Sequence, residues 1–88
     1  GGEEFVAIVH FNLTRELLQY LKRIKTIVTS NSFLYKGNKI KVTFSAGVSI
    51  RPNQESYENT IQKADMLLYE AKENGRDQIK LEDGRTIK

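Results

Sequence analysis

From Lys39 to Ile50 the chain alternates without a break. Ile40, Val42, Phe44, Ala46, Val48 and Ile50 fall on one side; Lys41, Thr43, Ser45, Gly47 and Ser49 fall on the other. A strand sends successive side chains to opposite faces, so this period predicts one continuous strand over residues 39–50. Its second face is mostly small rather than charged, which predicts an element packed closely against it. A half-apolar strand must sit in a sheet that another layer covers.

The flanking segments supply the rest of such a fold. Residues 5–11 (FVAIVHF) are an almost unbroken apolar run with β-branched and aromatic content, which predicts a strand buried on both faces. Asn12 or Thr14 can cap a following helix. Leu17, Leu18, Leu21, Ile24, Ile27 and Val28 recur there at helical spacing, with Arg15, Gln19, Lys22, Arg23 and Lys25 on the remainder. Residues 33–35 predict a short strand, and Gly37-Asn38 a hairpin turn, because both residues tolerate positive φ. After a loop holding Pro52, Ser56 or Asn59 can cap a second helix with Ile61, Ala64, Leu67, Leu68 and Ala71 as its apolar stripe. Asn74-Gly75 ends it, with glycine in the left-handed position. Residues 78–81 predict a strand, and Asp83-Gly84 a turn into Thr86-Ile87. The order strand, helix, hairpin, helix, strand defines an α+β fold with helices covering a sheet.

Composition excludes several classes. Eighty-eight residues allow one small domain. Cysteine is absent and His10 is the single histidine, which rules out a disulfide framework and a thiolate zinc site. The net charge of +3 is mildly basic, and no like-charge run suggests a nucleic-acid tail. No apolar stretch approaches a membrane span. The chain opens on Gly1 with no initiator methionine and reads as a segment of a longer protein.

Two constellations carry chemistry. Gly1-Gly2-Glu3-Glu4-Phe5 joins a side-chain-free turn to two carboxylates at the mouth of an apolar strand. Hard oxygens there suit Mg²⁺, which binds through one or two carboxylates plus substrate phosphates. Read alone, the same five residues fit a hairpin turn with two solvated glutamates. Lys72 and Arg76 stand four apart at a helix end and could clamp a triphosphate. Read alone, they also fit cations placed to complement the helix macrodipole.

Together these strings resemble the GGDEF family at three places in the right order. Gly1 to Phe5 matches the signature in its GGEEF form. Val42-Thr43-Phe44-Ser45-Ala46-Gly47-Val48 is similar to the family strand VT-x-S-x-GV. Ala64-Asp65 through Tyr69-x-Ala71-Lys72-x-x-Gly75-Arg76 is similar to the family helix AD-x-x-(L/M)Y-x-AK-x-x-GR. The resemblance runs from Gly1 to about Leu81. It identifies residues 1–88 as a partial GGDEF domain, with 82–88 a closing hairpin or tail. The fold it implies is the nucleotidyl-cyclase palm, a ferredoxin-like sheet covered by helices.

The resemblance implies a diguanylate cyclase, in which two GTP molecules condense to cyclic di-GMP and two pyrophosphates across a pair of domains, with Mg²⁺ or Mn²⁺. It implies Glu3 as metal ligand and catalytic residue, with Glu4 assisting a second metal. Gly1 and Gly2 would lie under the nucleotide, and Lys72 and Arg76 would hold the β- and γ-phosphates. His10 would have no catalytic role and Tyr69 would pack. Asp77 stands where the family usually has Asn. The implied partners are GTP, a second GGDEF domain and an upstream sensory or regulatory domain, in the cytoplasm, without nucleic acid or membrane insertion by this segment. The family's first strand, with a metal-binding Asp, and its guanine-reading and product-inhibition residues would lie upstream. That strand would sit between residues 5–11 and 39–50, so those two apolar edges are expected to pair directly or to dimerise. The segment alone is expected to be inactive. A GGDEF module that binds GTP or cyclic di-GMP without turnover is the competing reading.

Overall fold

A computed structural model describes residues 6–30 and 32–88, with Ser32 described in its backbone alone. Among the described residues, two helices and two small sheets give the α+β arrangement. Helix α1 spans Thr14–Ser30 and α2 spans Tyr57–Glu73. Strands β1 (Ser32–Tyr35) and β2 (Asn38–Lys41) form an antiparallel hairpin. Strands β3 (Ala46–Val48), β4 (Ile79–Leu81) and β5 (Thr86–Ile87) form a mixed sheet in the order β3-β4-β5. In that sheet β3 and β4 run parallel, and β4 and β5 antiparallel.

The core lies between α2 and the mixed sheet. Ala71, Ile79 and Leu81 are buried there. The small face of residues 45–49 is the reason α2 can come so close. A Cβ added at Gly47 would lie 2.1 Å from the Ala64 carbonyl oxygen and 2.3 Å from the Leu68 amide nitrogen. Beside it, the Ser49 hydroxyl donates to the Thr60 carbonyl at 2.6 Å. The expected close packing against this face is therefore present, and α2 supplies it.

Helix α2 is bounded as its sequence dictates. Ser56 is the N-cap and its hydroxyl accepts from the Asn59 amide at 3.2 Å. Asn74 is the C-cap, Gly75 follows at φ +111°, and the Arg76 amide donates back to the Ala71 carbonyl at 2.9 Å. That is the six-to-one bond of a Schellman ending. The loop before α2 is held by Arg51, whose guanidinium lies 4.1 Å from the centre of the Tyr57 ring and whose Nε donates to the Glu55 carbonyl. The Glu55 carboxylate accepts from Lys63 at 3.0 Å and from the Thr60 hydroxyl at 2.8 Å. The Lys63 bond, then the Thr60 bond, hold its pKa below the ordinary carboxylate value.

Five expectations need correction. Residues 39–50 do not form one strand: β2 ends at Lys41, residues 42–45 are irregular, and β3 begins at Ala46. The two pieces belong to different sheets, because β2 pairs with β1 whereas β3 pairs with β4. The hairpin turn falls on Lys36 and Gly37, at φ +51° and +80°, and Asn38 already belongs to β2. Val6 to Phe11 is irregular rather than a strand, and Val6 and Ile8 are mostly exposed. It runs alongside residues 45–53 without a ladder to β3, across clefts of about 190 and 300 Å³. A run patterned for two covered faces finds no strand to bond with among the described residues, so direct closure of the two edges does not occur. Tyr69 is 64% exposed and does not pack, because it points away from the sheet-facing stripe of α2.

Candidate functional site

Lys72 belongs to the last turn of α2 and is half-buried. Ala64, Leu68 and Lys72 recur four apart, so they share one side of the helix. Ala64 and Leu68 are the residues pressed against Gly47, so this is the side that meets β3. Arg76 follows the Schellman turn with an exposed side chain. Its φ of +63° is left-handed, an uncommon state for a residue with a Cβ.

The turn over residues 74–78 is held from several directions. The Arg76 amide is bonded to Ala71, and its carbonyl accepts from the Gln78 side-chain amide at 3.2 Å. Gln78 also donates to the Asn74 carbonyl at 3.0 Å. Asp77, left-handed at φ +50°, donates its amide to the Ser45 hydroxyl at 3.0 Å. Its carboxylate accepts from Lys25 of α1, and the Lys25 ammonium also lies 5.7 Å from the centre of the Phe44 ring.

Neither Lys25 nor Gln78 is marked in the sequence as a site residue. Lys25 was assigned to the polar side of α1, yet it is 6% exposed. Its spacing held a signal: Leu21, Lys25 and Val28 recur at intervals of four and three, which is apolar-stripe spacing.

Gly1, Gly2, Glu3 and Glu4 lie outside the described residues. Phe11 lines a cleft with Ile50, Arg51 and Pro52, whereas Val6 and Ala7 line one with Ser45, Ala46 and Leu68. Traced back from Phe11 to Val6, the chain moves toward Ser45, the residue that holds Asp77. Among the described residues no group of three or more His, Cys, Asp or Glu side chains could hold a metal ion.

Residues 1–78 match the family described as Diguanylate cyclase, GGDEF domain. Among curated relatives, the chain is 38% identical over 82 residues to Diguanylate cyclase A of Treponema denticola, covering 92% of this chain and 22% of that protein. It is 33% identical over 81 residues to Diguanylate cyclase DgcP of Pseudomonas aeruginosa, covering 92% of this chain and 12% of that protein. It is 31% identical over 87 residues to Diguanylate cyclase DgcZ of Escherichia coli, covering 99% of this chain and 29% of that protein. The chain belongs to the GGDEF domain family of diguanylate cyclases. It spans less than a third of the length of these relatives.

Proposed function

We propose that this chain is part of a diguanylate cyclase domain, which joins two GTP molecules into cyclic di-GMP and releases two pyrophosphates. The observation that carries the reading is directional. The segment that follows the acidic signature reaches the Ser45 end of β3, and the turn bearing Arg76 is tied to that same end through Asp77.

Lys72 and Arg76 are assigned to the β- and γ-phosphates of GTP, where two cations offset the charge of the tail and orient it. Gly1 and Gly2 let the nucleotide approach the backbone. Glu3, with Glu4 assisting, has the hard oxygen chemistry that suits Mg²⁺ or Mn²⁺. When bound, the metal offsets charge on the attacking and leaving oxygens. Glu3 is also assigned to help remove the proton of the attacking 3′-hydroxyl. Each domain holds one GTP, so ring closure needs a second domain facing the first. GTP as substrate fits a cytoplasmic placement, and among the described residues no helix is long and apolar enough to cross a membrane.

The test compares the full-length protein with its Glu3→Ala and Arg76→Ala variants, using GTP and Mg²⁺. Glu3→Ala is expected to abolish cyclic di-GMP formation while GTP still binds. Loss of one charged phosphate contact by Arg76→Ala is expected to raise KM for GTP about tenfold or more. Equal product from wild type and Glu3→Ala would overturn the assignment. GTP binding without product in the wild type would instead favour a regulatory module that does not turn over.

A further inference from the structure

We propose that Lys25 and Asp77 are a positioning pair that holds Arg76 in place for the nucleotide's phosphates; this rests on the reading of Arg76 given above. The inference starts from where the protein places its buried polar groups. Among the described residues, the buried polar side chains are Lys25 and Gln78, at 6% and 4% exposure. Gln78 closes the turn over residues 74–78 from within, and Lys25 reaches it from α1.

Burying an ammonium is costly unless a carboxylate and good geometry compensate it, and a pair of this kind often adds little net stability over an apolar substitute. What it can add is definition of position. Here the partner is the residue next to Arg76. Arg76 and Asp77 are consecutive left-handed residues without the freedom of glycine, each adopted at a cost of about 1 kcal/mol or more. Such a conformation persists when its surroundings over-determine it. Gln78 binds the Arg76 carbonyl, Ala71 binds the Arg76 amide, and Ser45 binds the Asp77 amide. Lys25 supplies the remaining anchor, from a helix that is otherwise distant in sequence. The backbone of Arg76 is therefore held on both sides while its guanidinium stays at the surface. A phosphate-binding arginine needs that division of labour, because a preorganised cation loses less entropy when the ligand arrives.

The test uses the full-length protein. It measures KM and kcat for GTP, the GTP dissociation constant and the melting temperature in Lys25→Met, Asp77→Ala, Asp77→Asn and Arg76→Ala. Lys25→Met keeps the side-chain stem and removes the charge. Lys25→Met and Asp77→Ala are each expected to weaken GTP binding about fivefold with kcat little changed, as for lost preorganisation of a ground-state contact. Asp77→Asn keeps an oxygen acceptor and tolerates the left-handed backbone, so it is expected to stay within about twofold of wild type. In an Arg76→Ala background, Lys25→Met is expected to add nothing further, because the group it positions is gone. A lower melting temperature with unchanged GTP affinity in both Lys25→Met and Asp77→Ala would overturn positioning and leave a structural pair. Should Lys25→Met fail to fold, Lys25→Gln, which removes the charge and leaves the backbone of residue 77 untouched, takes its place. Unchanged affinity in Arg76→Ala would overturn the phosphate role itself, an outcome distinct from failure of the pair.

Discussion

Helix α2 and the sheet it covers differ from the rest of the chain in how completely their patterns are answered. Ala71, Ile79 and Leu81 are nearly inaccessible, and the backbone of α2 rests on the bare backbone of Gly47. On the other side, Leu34 and Tyr35 of the β1–β2 hairpin are 75% and 60% exposed, and Ile8 is 63% exposed. Both regions carry apolar residues at strand or helix spacing. The difference is that α2, β3 and β4 meet partners within this chain, whereas the hairpin and residues 6–11 meet few. Apolar pattern alone states that a face needs covering; it does not state what covers it.

The comparison can be broken most sharply at Gly47. Gly47→Ala would drive a methyl into the Ala64 carbonyl and the Leu68 amide, which are backbone atoms that cannot turn aside. It is expected to destabilise the chain by about 3 kcal/mol or more, read as a lower midpoint in denaturant. A loss under about 1 kcal/mol would mean that α2 is not seated so tightly.

A smaller effect is expected at the start of α2. The pKa of Glu55 is held below its ordinary value of 4.5, mainly by Lys63 and then by Thr60. A depressed carboxylate stabilises the fold above its unfolded pKa. That contribution falls away as pH drops below 4.5 through the lower folded value. Glu55→Gln is expected to flatten the acid side of the stability profile, measured as melting temperature against pH. An unchanged acid limb would show that the carboxylate is not engaged as described. The smallest effect belongs to the open side. Leu34→Ser on the exposed hairpin is expected to change stability by no more than about 0.5 kcal/mol. A cost well above that would reveal a cover for the hairpin and erase the contrast.

The same contrast explains what could be read in advance. Helices α1 and α2, the Ser56 cap and the Gly75 ending were legible, because each is set by residues a few positions apart. The small face at Ser45, Gly47 and Ser49 announced a closely packed neighbour, and the fold shows that α2 is that neighbour. The break between Lys41 and Ala46 was not legible, since unbroken alternation does not say which strand each half will pair with. Residues 6–11 read as a strand on composition, but a strand is defined by partners rather than by its own side chains. In the candidate site, Lys72 and Arg76 were visible as a spacing. Lys25 was not, because a lysine is by default a surface residue, and only the fold brings Asp77 to it.

Asp77 occupies a backbone state that few side chains accept. Asparagine and aspartate are the two common residues other than glycine that enter it readily. Exchange between them leaves the main chain undisturbed and alters only charge. One such replacement adds a negative charge to the turn, and α1 already presents the counter-ion. A single charge on a residue the backbone already permits thereby ties α1 to the turn over residues 74–78.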